Sequence, residues 1–489
     1  MIAIVTAVAM LMMSATVVTV ALPDIQRDLG ATLTDLQWVV NAFTLAMAVF
    51  QLTAGSLGDR VGRRRMFLIG VTLFAVASLA CGLAFSPAVL IAARAAQGLA
   101  GAIMFATTLA LVAQCYTGQA RGVAFGVRGA VAGVAVALGP LLGGFLVAGL
   151  NWRWIFFVNL PLAAFTMLLA WPSLPRREVL HRGRSLDVGG LVTLTAGLVL
   201  LMFALLRGEE MGWSSTPVIV MLSGAAVAMA AFLFIEARHP EPMLDLALFR
   251  NVSFTGTQLS TIATHGSFFA LLVYLSLFFQ NQLGYSALMT GLCFLAVNVP
   301  ILLTGPVAGA FMDRLPPRLL PTIGLVLVGV GLLLMNGLTL GSSWTALAPG
   351  MVVAGLGLGV TLPALGSLAM EVADERKLGM AAGVNNTFSQ TAMAVGIAVY
   401  GVVLGHQVTA TMTRDLSGSG LDLDGLTQAA SSGAISEAVG HLPGSVRDSV
   451  VQAAHQGFIA GLNQLFFVVA GVAFVGAALT AVLIRRRSV

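Results

Sequence analysis

The chain has 489 residues, of which 58% are hydrophobic and 9% charged. Soluble domains carry about 25% charged residues, so a water-facing globule is excluded. The net charge of +5 reads as membrane topology rather than nucleic-acid affinity, and Cys81, Cys115 and Cys293 lie in or beside apolar runs with neither metal spacing nor a disulfide framework.

Apolar runs long enough to cross a bilayer, about 20 residues each, recur along nearly the whole chain. Backbone polar groups in lipid must pair within the chain, and the runs do not alternate apolar with polar, which selects helices. Fourteen spans are expected, at residues 2–22, 38–57, 66–85, 88–113, 123–150, 154–171, 188–206, 218–235, 254–279, 287–312, 319–340, 345–369, 380–404 and 458–484. The first has no positive leader and no small-residue cleavage site, so it reads as a span and not a signal peptide. With the amino terminus in the cytoplasm, 18 of the 25 Lys and Arg residues fall inside, 5 outside, and the remaining two, Arg94 and Arg128, within spans. That asymmetry places both termini in the cytoplasm. The Gly-, Ser-, Asp- and Thr-containing segment 406–457 then lies outside, as a partly helical external loop.

Two segments repeat. Gly55-Ser56-Leu57-Gly58-Asp59-Arg60 follows the second span, and Gly309-Ala310-Phe311-Met312-Asp313-Arg314 follows the tenth. If 188–206 and 218–235 are an inserted pair, these are equivalent positions in two six-helix halves of equal orientation, an arrangement that builds transporters with a midplane site. The run Gly55 to Arg65, which continues through Gly62, Arg63 and Arg64, resembles the cytoplasmic loop motif of major facilitator transporters. The resemblance implies a latch that closes the two bundles on the cytoplasmic side, with Gly55 and Gly58 allowing close helix approach and Asp313 and Arg314 as the counterpart. Arg94-Ala95-Ala96-Gln97-Gly98 in the fourth span is similar to the same family's Arg-x-x-Gln-Gly motif. An Arg at a helix centre in lipid costs about 3 kcal/mol on insertion scales, so Arg94 reads as functional, near a proton route.

In the fifth span, Gly133, Gly139, Pro140, Gly143 and Gly144 resemble the antiporter motif of the exporting branches. This implies antiport, with a kink at Pro140. Asn151 to Pro161, and Asn385-Asn386-Thr387 followed by Gln390, look like stretches of the fourteen-span drug:proton antiporter family. The fold class expected is an all-α membrane protein of the major facilitator fold: two six-helix bundles plus two extra central helices. The expected domains are 1–172, 173–253 and 254–489, and the protein resides in the cell inner membrane.

The chain departs from that family where it matters for charge. Ser14 stands at the acid position of the first span and Thr19 at the amide position, and none of the 20 acids lies near the centre of a span. Cationic cargo is therefore disfavoured against neutral, zwitterionic or anionic amphiphiles. Proton coupling is assigned to Arg94, to Asp35 at the outer mouth, and to His265, the one histidine within a span, which shares a helix face with Gln258 and Thr261. The expected substrate-binding residues are Asn41, Gln51, Gln258, His265, Phe268, Asn298, Asn385, Asn386 and Gln390, with Phe269 and Tyr274 as apolar wall. The function implied is proton-driven export of a drug, antibiotic or secondary metabolite by alternating access. The alternative is a specific metabolite facilitator or an exporter without proton coupling. No nucleophile–base pair, metal cluster or phosphate-cradling loop is legible, so no enzyme activity, cofactor or metal is expected. The partners are a small-molecule substrate, protons and the lipid bilayer, with no nucleic acid, and the chain is expected to act as a monomer.

Overall fold

The computed structural model describes residues 1–31, 33–174, 187–240, 242, 244–312, 314–371, 378–416, 425–427, 435, 439 and 443–484. Fourteen long helical segments are found among them: α1 (Ile2–Leu22, its helix running on to Leu29), α2 (Leu33–Val61), α3 (Arg63–Gly82), α4 (Pro87–Cys115), α5 (Gly118–Gly149), α6 (Trp154–Ser173), α7 (Val188–Met211), α8 (Thr216–Arg238), α9 (Val252–Gln282), α10 (Ala287–Phe311), α11 (Leu319–Leu334), α12 (Ala348–Glu371), α13 (Leu378–Asp415) and α14 (Gly444–Leu483). Twelve hold a long apolar stretch, α5 bends by 43° between Val136 and Leu141, and α11 is a shorter apolar helix. The bend falls on the stretch that contains Gly139 and Pro140.

Helix starts follow local chemistry. Ser86 caps α4 by accepting from the Val89 amide, with Pro87 behind it, and Asn251 and Ser286 cap α9 and α10 in the same way. Between α2 and α3 a single residue, Gly62, turns the chain at φ +108°, a conformation that glycine adopts without strain. Three boundaries differ from the sequence expectation. The eleventh helix stops at Leu334 because Asn336-Gly337 ends it, with Gly337 at φ +95°, and Asn463 Oδ1 accepts from the Gly337 and Leu338 amides at 3.1 and 3.0 Å. The expected loop at 406–457 is helical at both ends, since α13 runs to Asp415 and α14 begins at Gly444. A hydropathy window sees only the apolar part of such helices, not their polar extensions into water. The ninth span contains two π-turns, His265–Phe269 and Phe278–Gln282, that no periodicity announced.

The two six-helix halves, α1–α6 and α9–α14, meet mainly through α5 against α10 and α2 against α13. A Cβ on Gly122 would run into the backbone of Gly309, and one on Gly126 into Gly305 and Pro306, so α5 and α10 touch backbone to backbone. Gly383 of α13 lies against Gln51 and Leu52 of α2 in the same manner. The inserted α7 packs on α8 and reaches both α2 and α13, with Trp38 and Phe203 rings 4.9 Å apart.

The cores reveal an asymmetry. At the end that carries Gly55 to Arg65, here the Arg60 end, a single core joins α1–α5 to Phe254, Ala369, Met370 and Met380–Val384 of the other half. At the opposite, Trp152 end, one core holds residues of α1–α6 only and another holds residues of α9–α14 and the segment between its last two helices. The halves are fused at the Arg60 end and separate at the Trp152 end.

Candidate functional site

Arg94 on α4 is wholly buried. Its Nε donates to the Val39 carbonyl at 3.0 Å, and Nη1 to Gln97 Oε1 at 2.7 Å and the Ser14 carbonyl at 3.4 Å. The guanidinium lies over the Phe43 ring, 4.3 Å from its centroid. Gln97 passes the network on to Ser78 Oγ at 2.7 Å, and Ser14 Oγ donates to Asn159 Oδ1 at 3.1 Å. Among the described residues no carboxylate takes part and Nη2 has no hydrogen-bond partner. A guanidinium buried without a counter-ion is costly unless hydrogen bonds and ring faces replace one. The acid position of the family pattern, Ser14, thus sits against Arg94 and supplies a backbone oxygen in place of a charge.

A second polar cluster joins α9 to α13. Asn385 Nδ2 donates to Thr261 Oγ1 at 3.0 Å and reaches Gln258 Oε1 at 3.5 Å. His265 Nδ1 lies 3.0 Å from the Thr261 carbonyl. A carbonyl only accepts, so Nδ1 carries the proton and Nε2 is the ring nitrogen available to bind another. The half-buried imidazole stacks on Phe269 with centroids 5.0 Å apart. The π-turn that starts at His265 displaces this part of α9 from the regular helix, a feature common at functional sites. It is pinned by reciprocal bonds: the Tyr400 hydroxyl donates to the Gly266 carbonyl, and the Tyr274 hydroxyl to the Ile397 carbonyl. Neither tyrosine role was signalled by the sequence, because both depend on the register of α13 against α9.

The other expected binding residues are distributed differently. Gln51 is wholly buried beside the α2–α13 contact, and neither atom of its amide group has a hydrogen-bond partner among the described residues. Gln258 Nε2 and Asn386 Nδ2 are likewise buried and unpartnered there. Asn298 lies across from Gly133, its Oδ1 3.1 Å from where a Cβ would stand. Asn41 and Gln390 are half-buried. Phe268 and Tyr274 belong to the core of the second half. The structure therefore gathers Gln258, His265 and Asn385, and sets Gln51 and Asn386 on the two helices that join the halves.

At the Arg60 end, Arg63 reaches Gln114 at 3.4 Å, and Arg64 donates to the Trp171 carbonyl at 2.8 Å. Arg64 also lies over the Trp171 ring at 5.3 Å. Gly58 has ordinary clearance, 3.6 Å to Thr107 Cγ2, so the tight helix approach expected there falls instead at Gly122, Gly126 and Gly309. Arg60 is half-buried and Arg314 is exposed. Asp313 and the side chain of Asp59 lie outside the described residues. Of the antiporter motif, Gly139 and Gly143 pack on Thr16 and Val17 of α1, Gly133 faces Asn298, and Gly144 faces open space. The side chain of Pro140 lies outside the described residues.

Asp35 lies in the first turn of α2, where a helix dipole favours negative charge. At the Trp152 end, Asp28 Oδ2 accepts from Arg153 at 2.6 Å and from the Trp152 indole at 3.0 Å. These partners, Arg153 first, hold the Asp28 carboxyl below the usual carboxylate range.

The family profile of the Major Facilitator Superfamily matches residues 2–397. Among curated proteins, the multidrug resistance protein Stp of Mycobacterium tuberculosis is 37% identical over 411 residues, 83% of this chain and 76% of that one. The tetracenomycin C resistance and export protein of Streptomyces glaucescens is 31% identical over 484 residues, covering 98% of this chain and 90% of that one. Among solved structures, the human organic anion transporter MFSD10 (TETRAN) superposes with a TM-score of 0.66 at 15% identity, over 98% of both chains. The paired six-helix halves, the motifs placed at equivalent helix ends and these matches lead to one assignment: the chain belongs to the Major Facilitator Superfamily, and it is a multi-pass membrane transporter.

Proposed function

We propose that this transporter exports small amphipathic organic compounds, of the drug, antibiotic or secondary-metabolite kind, from the cytoplasm in exchange for protons. It works as a monomer in the cell inner membrane, with both termini and the Arg60 end on the cytoplasmic side. The observation that carries the reading is the one-ended fusion of the halves. A solute route between them that is closed at one end and unfused at the other is one of the two states that alternating access needs. Gly55, Gly58, Asp59, Arg60, Gly62, Arg63, Arg64, Asp313 and Arg314 latch the cytoplasmic closure. Gly133, Gly139, Pro140, Gly143 and Gly144 let α5 bend against α1 as the halves rock. Gln51, Gln258, His265, Asn385 and Asn386 contact the solute, and His265, Arg94 and Asp35 serve the proton. The printed names of relatives, resistance to several drugs in one and export of tetracenomycin C in another, support export over uptake.

A second reading, export without proton coupling, is favoured by the Arg94 network, in which no carboxylate takes part. Uptake into everted membrane vesicles by a panel of unrelated amphiphiles, with and without an imposed pH gradient, decides between them. Uptake of several compounds that follows the gradient supports the proton exchanger. Uptake indifferent to the gradient supports the second reading. Absence of uptake of any compound rejects export.

A further inference from the structure

Arg128 on α5 is the second buried guanidinium, and none of the motifs absorbs it. It is nine-tenths buried, with 9% of its surface exposed. Its Nε donates to Thr108 Oγ1 on α4 at 3.3 Å, and its guanidinium lies 4.5 Å from the centroid of the Phe105 ring. Its Nη2 is buried and has no hydrogen-bond partner among the described residues. A guanidinium offers five donors in a planar fork suited to paired oxygens. Here a ring face and one hydroxyl hold it, and among the described residues no anion neutralises it and one donor is left without an acceptor.

Its position gives the charge a use. Phe125 and Gly126, on the same turn of α5, touch Gly366 of α12 and Gly305 of α10, so this turn is part of the closure at the Arg60 end. The next residue, Gly129, has nothing within 4 Å of where its Cβ would stand, and the next close approach of α5 to α10 is Gly133 against Asn298. When the halves part at this end, the turn carrying Arg128 is what they uncover. Resting on the export reading above, we infer that Arg128 is the anion anchor of the cytoplasmic-facing state: it takes a carboxylate, sulfonate or phenolate group of the cargo through Nη2, with Phe105 against the apolar body. The cargo class that follows is the anionic amphiphile.

The test uses two probes of one skeleton, 8-anilinonaphthalene-1-sulfonate and its uncharged parent N-phenyl-1-naphthylamine. Their uptake is measured in everted vesicles holding the full-length chain. The unmodified protein is expected to carry both. Arg128→Gln is expected to lower uptake of the sulfonate by about tenfold, the worth of one charge-assisted hydrogen bond, and to leave the uncharged probe within about twofold. Arg128→Lys, which keeps the charge, is expected to retain most sulfonate uptake. Equal loss of both probes in Arg128→Gln, or undiminished sulfonate uptake in it, overturns the proposal. Carriage of the uncharged probe alone by the unmodified protein overturns it and leaves the export reading standing. Failure to carry either probe overturns the anchor, and the export reading is then decided by the wider panel.

Discussion

A single replaced oxygen decides how Arg94 is held. The side chain at position 14 is a hydroxyl that bonds Asn159, and Arg94 takes the Ser14 backbone carbonyl instead. Ser14→Asp would set a carboxylate within reach of that guanidinium. Two outcomes follow from charge alone. The interior loses one net positive charge, and an organic cation finds a partner it lacked. Ethidium uptake in everted vesicles is therefore expected to rise several-fold in Ser14→Asp, and unchanged ethidium uptake would show that charge at this position does not set cargo sign. His265 is tested separately. With Nδ1 committed to the Thr261 carbonyl, Nε2 is the ring nitrogen open to a proton. His265→Ala is expected to reduce gradient-driven uptake to the gradient-free level while gradient-free uptake persists, since the imidazole carries the coupling and the α9–α13 contact is still pinned by two tyrosines. Undiminished gradient-driven uptake rejects His265 as the coupling residue.

At the scale of helices, α5 against α10 is the contact on which closure depends. Gly122→Val inserts a branched side chain where the Gly309 backbone already stands. Overpacking of this kind costs about 1–3 kcal/mol, here levied on the closed arrangement and not on either half alone. A shift of that size changes the ratio of the two states by about 5–150-fold. Gly122→Val is expected to cut uptake at least fivefold with a thermal midpoint within a few degrees of the parent, whereas Gly471→Val on α14, beside open space, is expected to leave uptake unaltered. Much of this level was legible beforehand. The long helical segments were legible as runs of apolar residues, twelve of them long and apolar enough to span and a thirteenth if bent α5 is one span, and the equivalence of α2 with α10 was read from the recurrence of Gly-x-x-x-Asp-Arg. What escaped had physical causes. Asn336-Gly337 ends α11 inside an apolar stretch, and hydropathy does not register a turn. The π-turn at His265 and its tyrosine clamps arise from contacts between residues 123 and 134 positions apart in sequence, for which one chain carries no local mark. The tight glycines were misplaced for a related reason: Gly58 belongs to a motif, but the backbone contact is made by Gly122, which belongs to none.

For the molecule as a whole, the charge balance of the interior bears on the driving force. Two buried guanidinium groups, with no carboxylate in their networks among the described residues, favour on the export reading a cargo that carries negative charge outward. A monovalent anion leaving an inside-negative cell gains about 2.3 kcal/mol per 100 mV, apart from any proton exchanged for it. Collapsing the potential with valinomycin and potassium, and the pH gradient with nigericin, separates the two sources. Anion uptake into energised everted vesicles is expected to fall with either treatment in a proton exchanger, and to fall with valinomycin alone in a transporter without proton coupling. The lopsided arrangement of the hydrophobic cores has a further effect on the idle molecule. Parting the halves at the Arg60 end brings the apolar faces around Phe125, Met370 and Met380 into water, at about 25 cal/mol for each Å². Widening the other mouth exposes no such common interior. On the export reading, the protein with nothing bound consequently rests shut against the compartment its cargo comes from, and the cargo must bring the free energy of unlocking with it.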